Sequence, residues 1–335
     1  MYTVKAFKNY AEVEPSLNKL IDRLYAGDPF YKYEKITMLD DYKPVFFVVY
    51  KDMVPASAAC ALLNMALAYK NAIPGLFGCF ESINDFQSFS LLMNEIKKHF
   101  QNQGINYLIG PLNASTWLKY RITMPDNNPP FFMDNYHKPW YSSLFEQYGM
   151  DVIASYISTS YKRNKFSFSR LEKAKQILEQ KGIHIRNITS DQIKYQLTDF
   201  YTVSIDSFSS NFLYSPVSYE IFLNLYKDIE KLEDKVTILL AEKSDHTPCG
   251  FALAVDNIYD NSQKGLIIKT VATINDSDCK GLGACMVEEL HKKAYQKRYD
   301  EIIHALMHSN NLSMNILKSK GEAFRTYCLY GGTCE

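Results

Sequence analysis

The sequence has no excess of charge of either sign. Lys and Arg together number 37 among its 335 residues, and Asp and Glu also number 37. A neutral protein creates no long-range field that would draw nucleic acid or an anionic membrane towards it. The balance therefore predicts neither of these partners. Hydrophobic residues make up 47% of the chain, which is enough to bury sizeable cores, and the length suits two domains.

Long apolar runs are lacking as well. The best candidate, residues 56–67, contains Ser57 and Asn64 and is shorter than the roughly 20 residues of a membrane-spanning helix. The first residues do not follow the basic-then-apolar pattern of a secretory signal. We therefore expect a soluble, cytoplasmic protein.

Paired cysteines are absent too. The seven Cys residues are scattered and none forms a Cys-x-x-Cys pair, which argues against a zinc ribbon and a thioredoxin-type motif. Several of them lie in apolar runs, where Cys behaves as a small hydrophobic residue. We expect reduced thiols, as in other cytoplasmic proteins, and no metal site.

One pattern of elements occurs twice in the sequence. The first copy has strand-like runs at 45–50, 56–67 and 75–80, an amphipathic helix around 89–100, a strand at 105–109, a short helix before Gly149 and a last strand near 151–160. The second copy has runs at 236–241, 249–255 and 266–274, a helix around 282–294, a strand at 301–307, a short helix before Gly321 and a last strand near 323–330. The repeat predicts two α/β units, residues 1–165 and 166–335, with the boundary near residues 165–183.

The first copy carries an insertion. Asn113 and Gly149 are 36 residues apart, whereas Asn310 and Gly321 are 11 apart, so the first copy is longer by about 25 residues. The extra segment, about 117–141, is rich in proline and aromatic residues, which favour an ordered loop with a large contact area. It is either a surface loop packed on the body or one wall of a substrate pocket. In the second case the pocket residues are Tyr136, Trp140 and Tyr141.

Two glycines follow the third strand of the second copy. A polar loop, residues 275–280, leads from that strand to Gly281 and Gly283, which open a helix. The first N–H groups of a helix lack partners, and the helix dipole adds about half a positive charge there. Glycines also let a pyrophosphate approach the backbone, so this loop predicts an anion site. The P-loop pattern is absent, and Met286 stands where a dinucleotide-binding fold needs a third small residue.

The segment resembles the phosphate loop of the GNAT superfamily of N-acetyltransferases, Arg/Gln-x-x-Gly-x-Gly/Ala. It reads Asp278-Cys279-Lys280-Gly281-Leu282-Gly283. The residues that follow are similar to the superfamily too: a buried strand into Asn310, then Ser313, Ile316, Leu317 and Gly321. The resemblance covers about residues 184–330 and extends loosely to the first half. It implies an α/β fold of two GNAT-like units, each a mixed, mostly antiparallel twisted sheet flanked by helices.

The resemblance also implies a site for acetyl-CoA or another acyl-CoA in the second half. In GNAT proteins the strand before the glycine loop parts from its neighbour, and the pantetheine arm of CoA pairs with its backbone. The residues placed there by the resemblance are Ala272, Thr273 and Ile274 for pantetheine, Lys280, Gly281, Leu282, Gly283 and Ala284 for pyrophosphate, and Asn310 on the pantetheine side. The equivalent loop of the first half, residues 81–87, has two acids and no glycine, so we expect one acyl-CoA site per chain.

Two positions differ from the superfamily pattern, and both affect the expected chemistry. Asp278 replaces the usual Arg or Gln, and Leu317 stands where many members have a Tyr that protonates the leaving thiolate. Solvent, Tyr327 or Tyr330 could supply that proton instead. A general base should be a carboxylate or a histidine. The candidates are His304 and His308, which strand alternation places on one face, although each could equally be a satisfied core or surface histidine.

The resemblance implies transfer of an acyl group, most simply acetyl, to a primary amine. The acceptor would be a small molecule or an amino terminus, and the protein would be a monomer or a homodimer. A non-catalytic binder of acyl-CoA or of another metabolite is an alternative, because Asp278 and Leu317 depart from the pattern. A second alternative is an aminoacyl-tRNA-dependent transferase, since some of those contain paired GNAT units. The neutral charge and the lack of a basic arm argue against it.

Overall fold

The computed structural model describes residues 1–31, 39–260, 262, 264–309 and 321–334. Three parts of the sequence-based interpretation lie outside these residues. They are the pantetheine residue Asn310, the position of Leu317, and the short helix expected before Gly321.

The elements of the first half follow the expected order, with one strand and one helix added in front. They are β1 (Tyr2–Phe7), α1 (Tyr10–Tyr25), β2 (Val45–Lys51), β3 (Val54–Leu62), β4 (Gly75–Ser82), α2 (Phe86–Gln101), β5 (Tyr107–Gly110), β6 (Ile122–Thr123), α3 (Tyr141–Gln147) and β7 (Asp151–Lys162). The sequence analysis overlooked β1 and α1. Helix α1 nevertheless has a clear signal, since Val13, Leu17 and Leu20 are buried at helical spacing. Asn9 caps its first turn through Glu12 N–H.

The second half repeats this plan. Its elements are α4 (Leu171–Gln180), β8 (Ile183–Ile188), α5 (Ile193–Phe208), α6 (Tyr219–Tyr226), β9 (Val236–Lys243), β10 (Pro248–Asp256), β11 (Gly265–Thr273), α7 (Leu282–Gln296), β12 (Glu301–His308) and β13 (Glu322–Thr333). The strands and the helix predicted from the repeat are confirmed. The leading strand β8 and helix α5 correspond to β1 and α1. The sequence pattern therefore missed the same two elements in both copies.

All strands of the described residues belong to one sheet. Its order is β1-β2-β3-β4-β5-β13-β7-β12-β11-β10-β9-β8, and β6 pairs with β13. The last strand of each half therefore crosses into the other half: β13 lies between β5 and β7, and β7 lies between β13 and β12. The five strands β1 to β5 of the first half are thus extended by β13, and the five strands β8 to β12 of the second half are extended by β7. The sequence repeat contains no signal for this exchange, because either last strand fits either position.

The helices cover both faces of the sheet. Alternate residues of one strand show which helix lies on which face. Phe46 and Val48 of β2 pack in the α1 cluster, whereas Phe47 and Val49 pack with α2. In the second half, α5 and α6 cover one face and α7 the other. Trp117 packs against both the α1 cluster and the α5 cluster, so α1, α5 and α6 share a face. Helix α4 packs on α7, supported by the Lys175–Glu289 ion pair, and so belongs with the second half.

Candidate functional site

The sheet contains two gaps, one in each half, at equivalent places. Strands β11 and β12 run parallel, but they pair only from Gly265–Glu301 to Ile268–His304. Beyond Ile268 the two strands no longer pair, and among the described residues no other strand pairs with that edge of β11 up to Thr273. In the first half β4 and β5 pair at only two positions, starting at Gly75. A parted strand offers backbone N–H and C=O groups to an extended ligand.

Helix α7 starts at the end of the β11 gap, and its first turn is open. Gly281 is its N-cap residue with φ of 92°, and no side chain caps the helix. That left-handed conformation favours glycine, because a Cβ atom there is strained. The N–H groups of the first turn thus face outward from an exposed glycine, where an anion is favoured. A Cβ atom at Gly283 would lie 3.6 Å from Val271 Cγ1, so the start of α7 lies against β11.

The charges around this loop are partly compensated. Lys243 Nζ lies 2.7 Å from Asp276 Oδ2, and this hydrogen bond holds the pKa of the Asp276 carboxyl below its usual value. Lys181 Nζ donates to the backbone oxygen of Asp278 at 3.2 Å. Lys280 and Asp278 are both exposed. Three lysines at the loop therefore balance three carboxylates, those of Asp206, Asp276 and Asp278, so the replacement of a basic residue by Asp278 does not make the loop acidic.

The end of helix α5 occupies part of the open β11 edge. The backbone N–H of Thr273 donates to Ser207 Oγ at 3.1 Å, and the N–H of Asn275 donates to Asp206 Oδ2 at 2.7 Å. Ala272 is buried and pairs with Phe251 of β10, and Ile274 N–H donates to Cys249 O. The edge that the resemblance assigns to pantetheine is thus covered at Thr273 by a hydroxyl. The sequence contained no signal for this contact, since 66 residues separate Ser207 from Thr273.

The corresponding edge in the first half is closed by its own side chains. Tyr141 OH accepts from Ser82 N–H at 3.1 Å, and Trp140 Nε1 donates to Ser82 O at 3.0 Å. Asn113 Oδ1 accepts from Cys79 N–H at 2.8 Å. Helix α2 is capped by Asp85, whose carboxylate sits where α7 has an open glycine. Trp140 and Tyr141, interpreted above as pocket residues, therefore fill the gap beside β4 instead.

The insertion in the first half forms one wall of a cavity of about 440 Å³. Of the three predicted pocket residues, Tyr136 lines this cavity, and its hydroxyl donates to Asp28 at 2.7 Å. Side chains of two strands hold the insertion in place. Arg325 of β13 forms a bidentate ion pair with Asp126 and a second ion pair with Asp134. Lys269 of β11 donates to its backbone as well.

The two candidate histidines lie on different faces of the sheet. The alternation of β12 breaks between His304 and Met307, where Leu306 has φ of 62°. His304 is buried under α7, with its Nε2 atom 2.8 Å from Nε2 of His291. Burial and the nearby His291 hold its pKa well below the usual value. The Ser167 N–H donates to His291 Nδ1, so His291 donates from Nε2 and His304 accepts. His304 is therefore a satisfied core residue.

His308 lies on the opposite face, beside the first half. Its ring meets that of Tyr156 edge-on, with centroids 4.9 Å apart. Burial, and next the nearby Arg121, lower its pKa, so it is a neutral imidazole at neutral pH. Tyr330 lies far along the exchanged strand β13, opposite Gly110 of β5. It is fully buried and stacks on Phe145, which places it in the core of the first half rather than near the glycine loop.

Two features are absent from the described ranges. No helix in this part of the chain is both long and apolar enough to cross a membrane. No cluster of three or more His, Cys, Asp or Glu side chains there could hold a metal ion. All seven cysteines are free thiols, and six of them are buried.

Known structures with the same fold support the repeat. No protein-family model and no curated protein matches the sequence. The chain is similar over 99% of its length to 99% of a tandem GNAT protein from the clavulanic acid biosynthesis pathway, with 7% identity and a TM-score of 0.55. A probable N-acyltransferase from Enterococcus faecalis matches all of this chain with 73% of its own, at 10% identity and a TM-score of 0.59.

A third similar structure is the GCN5-related glucosamine N-acetyltransferase region of a fungal multi-domain β-N-acetylglucosaminidase. It has 12% identity and a TM-score of 0.55 over 99% of this chain, and this chain spans 38% of that protein. At such identities the likeness concerns the fold. The predicted fold class is confirmed: the chain has the fold of the tandem GNAT N-acetyltransferases.

Proposed function

We propose that the second half binds an acyl-CoA, most simply acetyl-CoA, and transfers its acyl group to a primary amine. One observation carries this proposal. An uncapped helix start at Gly281 stands at the end of a strand that has parted from its parallel neighbour. A pyrophosphate fits the first feature and an extended pantetheine arm fits the second. The fold neighbours support acyl transfer in general.

The loop and the edge of β11 would bind different parts of the ligand. The backbone from Lys280 to Ala284 would hold the pyrophosphate, chiefly through the N–H groups after Lys280, since the Lys280 N–H already donates to Ser277 O. Lys181 and Lys243 add positive charge nearby. The pantetheine arm would pair with the edge of β11 around Thr273. For that pairing the Thr273 N–H must exchange the Ser207 hydroxyl for an oxygen of the ligand. One hydrogen bond replaces another, so the exchange costs little.

Acyl transfer needs a neutral amine placed against the thioester carbonyl. The amine nitrogen forms the new C–N bond, the C–S bond breaks, and the CoA sulfur leaves as a thiol after taking up a proton. Positioning supplies much of such a rate enhancement. His308 is the better of the two histidine candidates for proton removal. It is neutral at neutral pH and partly accessible, whereas His304 is enclosed and engaged by His291.

Two measurements test the proposal. Isothermal titration calorimetry with acetyl-CoA tests binding, and release of free thiol in the presence of a panel of primary amines tests transfer. We expect binding and amine-dependent thiol release. No heat of binding at millimolar acetyl-CoA would contradict the proposal. Binding without thiol release for any amine would instead support the non-catalytic binder.

A further inference from the structure

The cavity in the first half is not explained by acyl-CoA binding in the second. It has a volume of about 440 Å³ and lies between the insertion, helix α1 and the end of β4. Its size is within the range of small-molecule sites, roughly 300–1,000 Å³. Four charged side chains border it: Glu81, Lys119, Arg121 and Asp134. Which of them already have partners decides what the cavity can bind.

Both carboxylates on the cavity wall are already engaged. Glu81 accepts hydrogen bonds from Tyr25 OH at 2.9 Å and from Tyr141 OH at 2.6 Å. Burial raises the pKa of this carboxyl. Asp134 is paired with Arg325 and accepts from Tyr327 OH at 2.6 Å. Neither carboxylate requires a ligand to complete its interactions.

Neither cation forms an ion pair within the part of the chain that the structure describes. Arg121 is only 6% exposed, yet among the described residues no carboxylate lies within ion-pair distance of it. Its guanidinium lies between the rings of Tyr120 and Tyr156, at 4.2 and 4.3 Å, and donates to Tyr120 OH at 2.8 Å. Its Nε atom is buried without a hydrogen-bond partner. Tyrosine faces attract the cation, but they offer Nε no acceptor.

Lys119 is the second cation on this wall. It is half-buried, and its Nζ lies 6.0 Å from the centre of the Tyr31 ring. No carboxylate of the described residues forms an ion pair with it, although Glu81 is near enough for the charge of Lys119 to act on it. Burying a cation without an ion-pair partner is costly. An anion bound at this wall would relieve that cost for Arg121 and bring a counter-ion to Lys119.

We infer that this cavity binds a small organic carboxylate, with the carboxylate against Arg121 and Lys119 and an apolar or aromatic body against Phe132 and Tyr136. Guanidinium and carboxylate groups match in planar geometry, and charge-assisted hydrogen bonds between them are strong. Aromatic side chains also line the cavity, among them Phe132, Tyr136 and Trp117. The inference is independent of acyl-CoA binding in the second half.

Ligand-observed NMR with phenylacetate, the neutral analogue phenylacetamide and inorganic phosphate tests this inference. We expect saturation transfer to phenylacetate and binding at least about tenfold weaker for the amide, because it loses a charge-assisted hydrogen bond. Equal binding of acid and amide, or no binding of phenylacetate, would overturn the inference. Phosphate binding as tightly as phenylacetate would also overturn it, since the anion site would then not select carboxylates.

Two matched variants locate the site. Lys119→Gln should weaken phenylacetate binding about tenfold. Lys70→Gln should leave it unchanged, because Lys70 also lies over a tyrosine ring but outside the cavity. Lys119 is only half-buried, so its variant should fold even if Arg121→Gln does not. Phenylacetate should also quench the fluorescence of Trp117, and Trp117→Phe should abolish that signal while Trp140→Phe keeps it. Equal affinity of Lys119→Gln and wild type would contradict the inference.

Discussion

The two halves share a topology but differ in what fills the gap in each sheet. Beside β4, the gap is filled by Asn113, Trp140 and Tyr141, all from the segment that follows β5. Beside β11, one hydroxyl and one carboxylate from the end of α5 cover the edge. Indole and phenol rings packed in a core are expensive to displace, whereas a side-chain hydroxyl exchanges easily. We therefore propose that the second gap, and not the first, admits a ligand arm.

The starts of helices α2 and α7 show the same contrast: the start in the first half is closed and the one in the second half is open. Asp85 caps α2, accepting from Gln87 N–H, and its carboxylate also pairs with Lys51 at 2.9 Å. Helix α7 begins with Gly281 and no side-chain cap. A carboxylate at a helix start satisfies the N–H groups and repels a phosphate, whereas a glycine leaves those groups for a ligand. In the first half, the Asp85 carboxylate thus occupies the helix start that an anion could otherwise bind.

The largest effect should come from breaking the anchor of the insertion. Arg325→Met leaves Asp134 buried without its ion-pair partner, so the free energy of unfolding should fall by about 3–5 kcal/mol. Urea denaturation measures this. Arg186→Met is the control, because Arg186 makes the same bidentate contact with Glu242 near the surface. Its loss should be below about 1 kcal/mol. Equal losses would mean that the insertion does not depend on Arg325.

The next effect concerns the glycine loop. Gly281→Val forces a β-branched residue into φ of 92° and distorts the first turn of α7, so acetyl-CoA affinity should fall on the order of a hundredfold. Calorimetry measures the affinity. Gly149→Val is the matched control, since Gly149 has φ of 85°, is equally open and lies in the first half. Both variants should lose similar stability. A similar loss of affinity in both would show that strain, and not the loop, controls binding.

The third effect is a pH dependence of stability caused by the buried pair His291 and His304, which lies in the second half. The folded state holds the pKa of His304 well below 6.5, whereas the unfolded chain titrates near that value. Below pH 6.5 the unfolded state therefore takes up a proton that the folded state does not. The contribution of His304 to the free energy of unfolding should fall by about 1.4 kcal/mol for each pH unit as the pH drops below 6.5.

Substitution isolates that contribution. Urea denaturation at pH 7, 6 and 5 should show a shallower pH dependence for His304→Gln than for wild type. His184→Gln, which replaces an exposed histidine of the same half, should keep the wild-type dependence. If His304→Gln and wild type lose stability equally between pH 6.5 and 5, the His304–His291 pair does not exclude the proton.

The smallest effect on acetyl-CoA affinity concerns Ser207, whose hydroxyl accepts from the Thr273 N–H at the β11 edge. Ser207→Ala frees the Thr273 N–H, so acetyl-CoA should bind about three- to tenfold more tightly, because the competing hydrogen bond is gone. Calorimetry again measures this. Ser209→Ala, two residues further along the chain and exposed, should bind acetyl-CoA like wild type. Weaker binding by Ser207→Ala would indicate that Ser207 contacts the ligand rather than competing with it.

Local patterns in the sequence were enough to find the repeat and the glycine loop. Apolar spacing located α2 and α7, and Gly281 indicated the open helix start. Contacts between distant segments were not accessible in this way. Nothing in β7 or β13 distinguishes the strand position each takes, so Tyr330 was assigned to the second half although it lies in the first. The face of His308 was also missed, because a bulge at Leu306 reverses the alternation.

The insertion shows the same limit. Its proline and aromatic content predicted an ordered segment, and the structure has one. Composition did not indicate which of its rings would line a cavity and which would fill the sheet gap. That depends on the partners of each ring: Trp140 and Tyr141 bond to the backbone of Ser82, whereas Tyr136 bonds to Asp28 at the cavity.

The most direct test of the central claim is a crystal structure of the protein with CoA. Our account predicts ligand density along β11, with the pyrophosphate at the N–H groups of residues 280–284 and the Ser207 hydroxyl moved away from Thr273. Density beside β4 and Asp85 instead, or a CoA molecule that leaves the β11 edge untouched, would contradict the assignment of the acyl-CoA site to the second half.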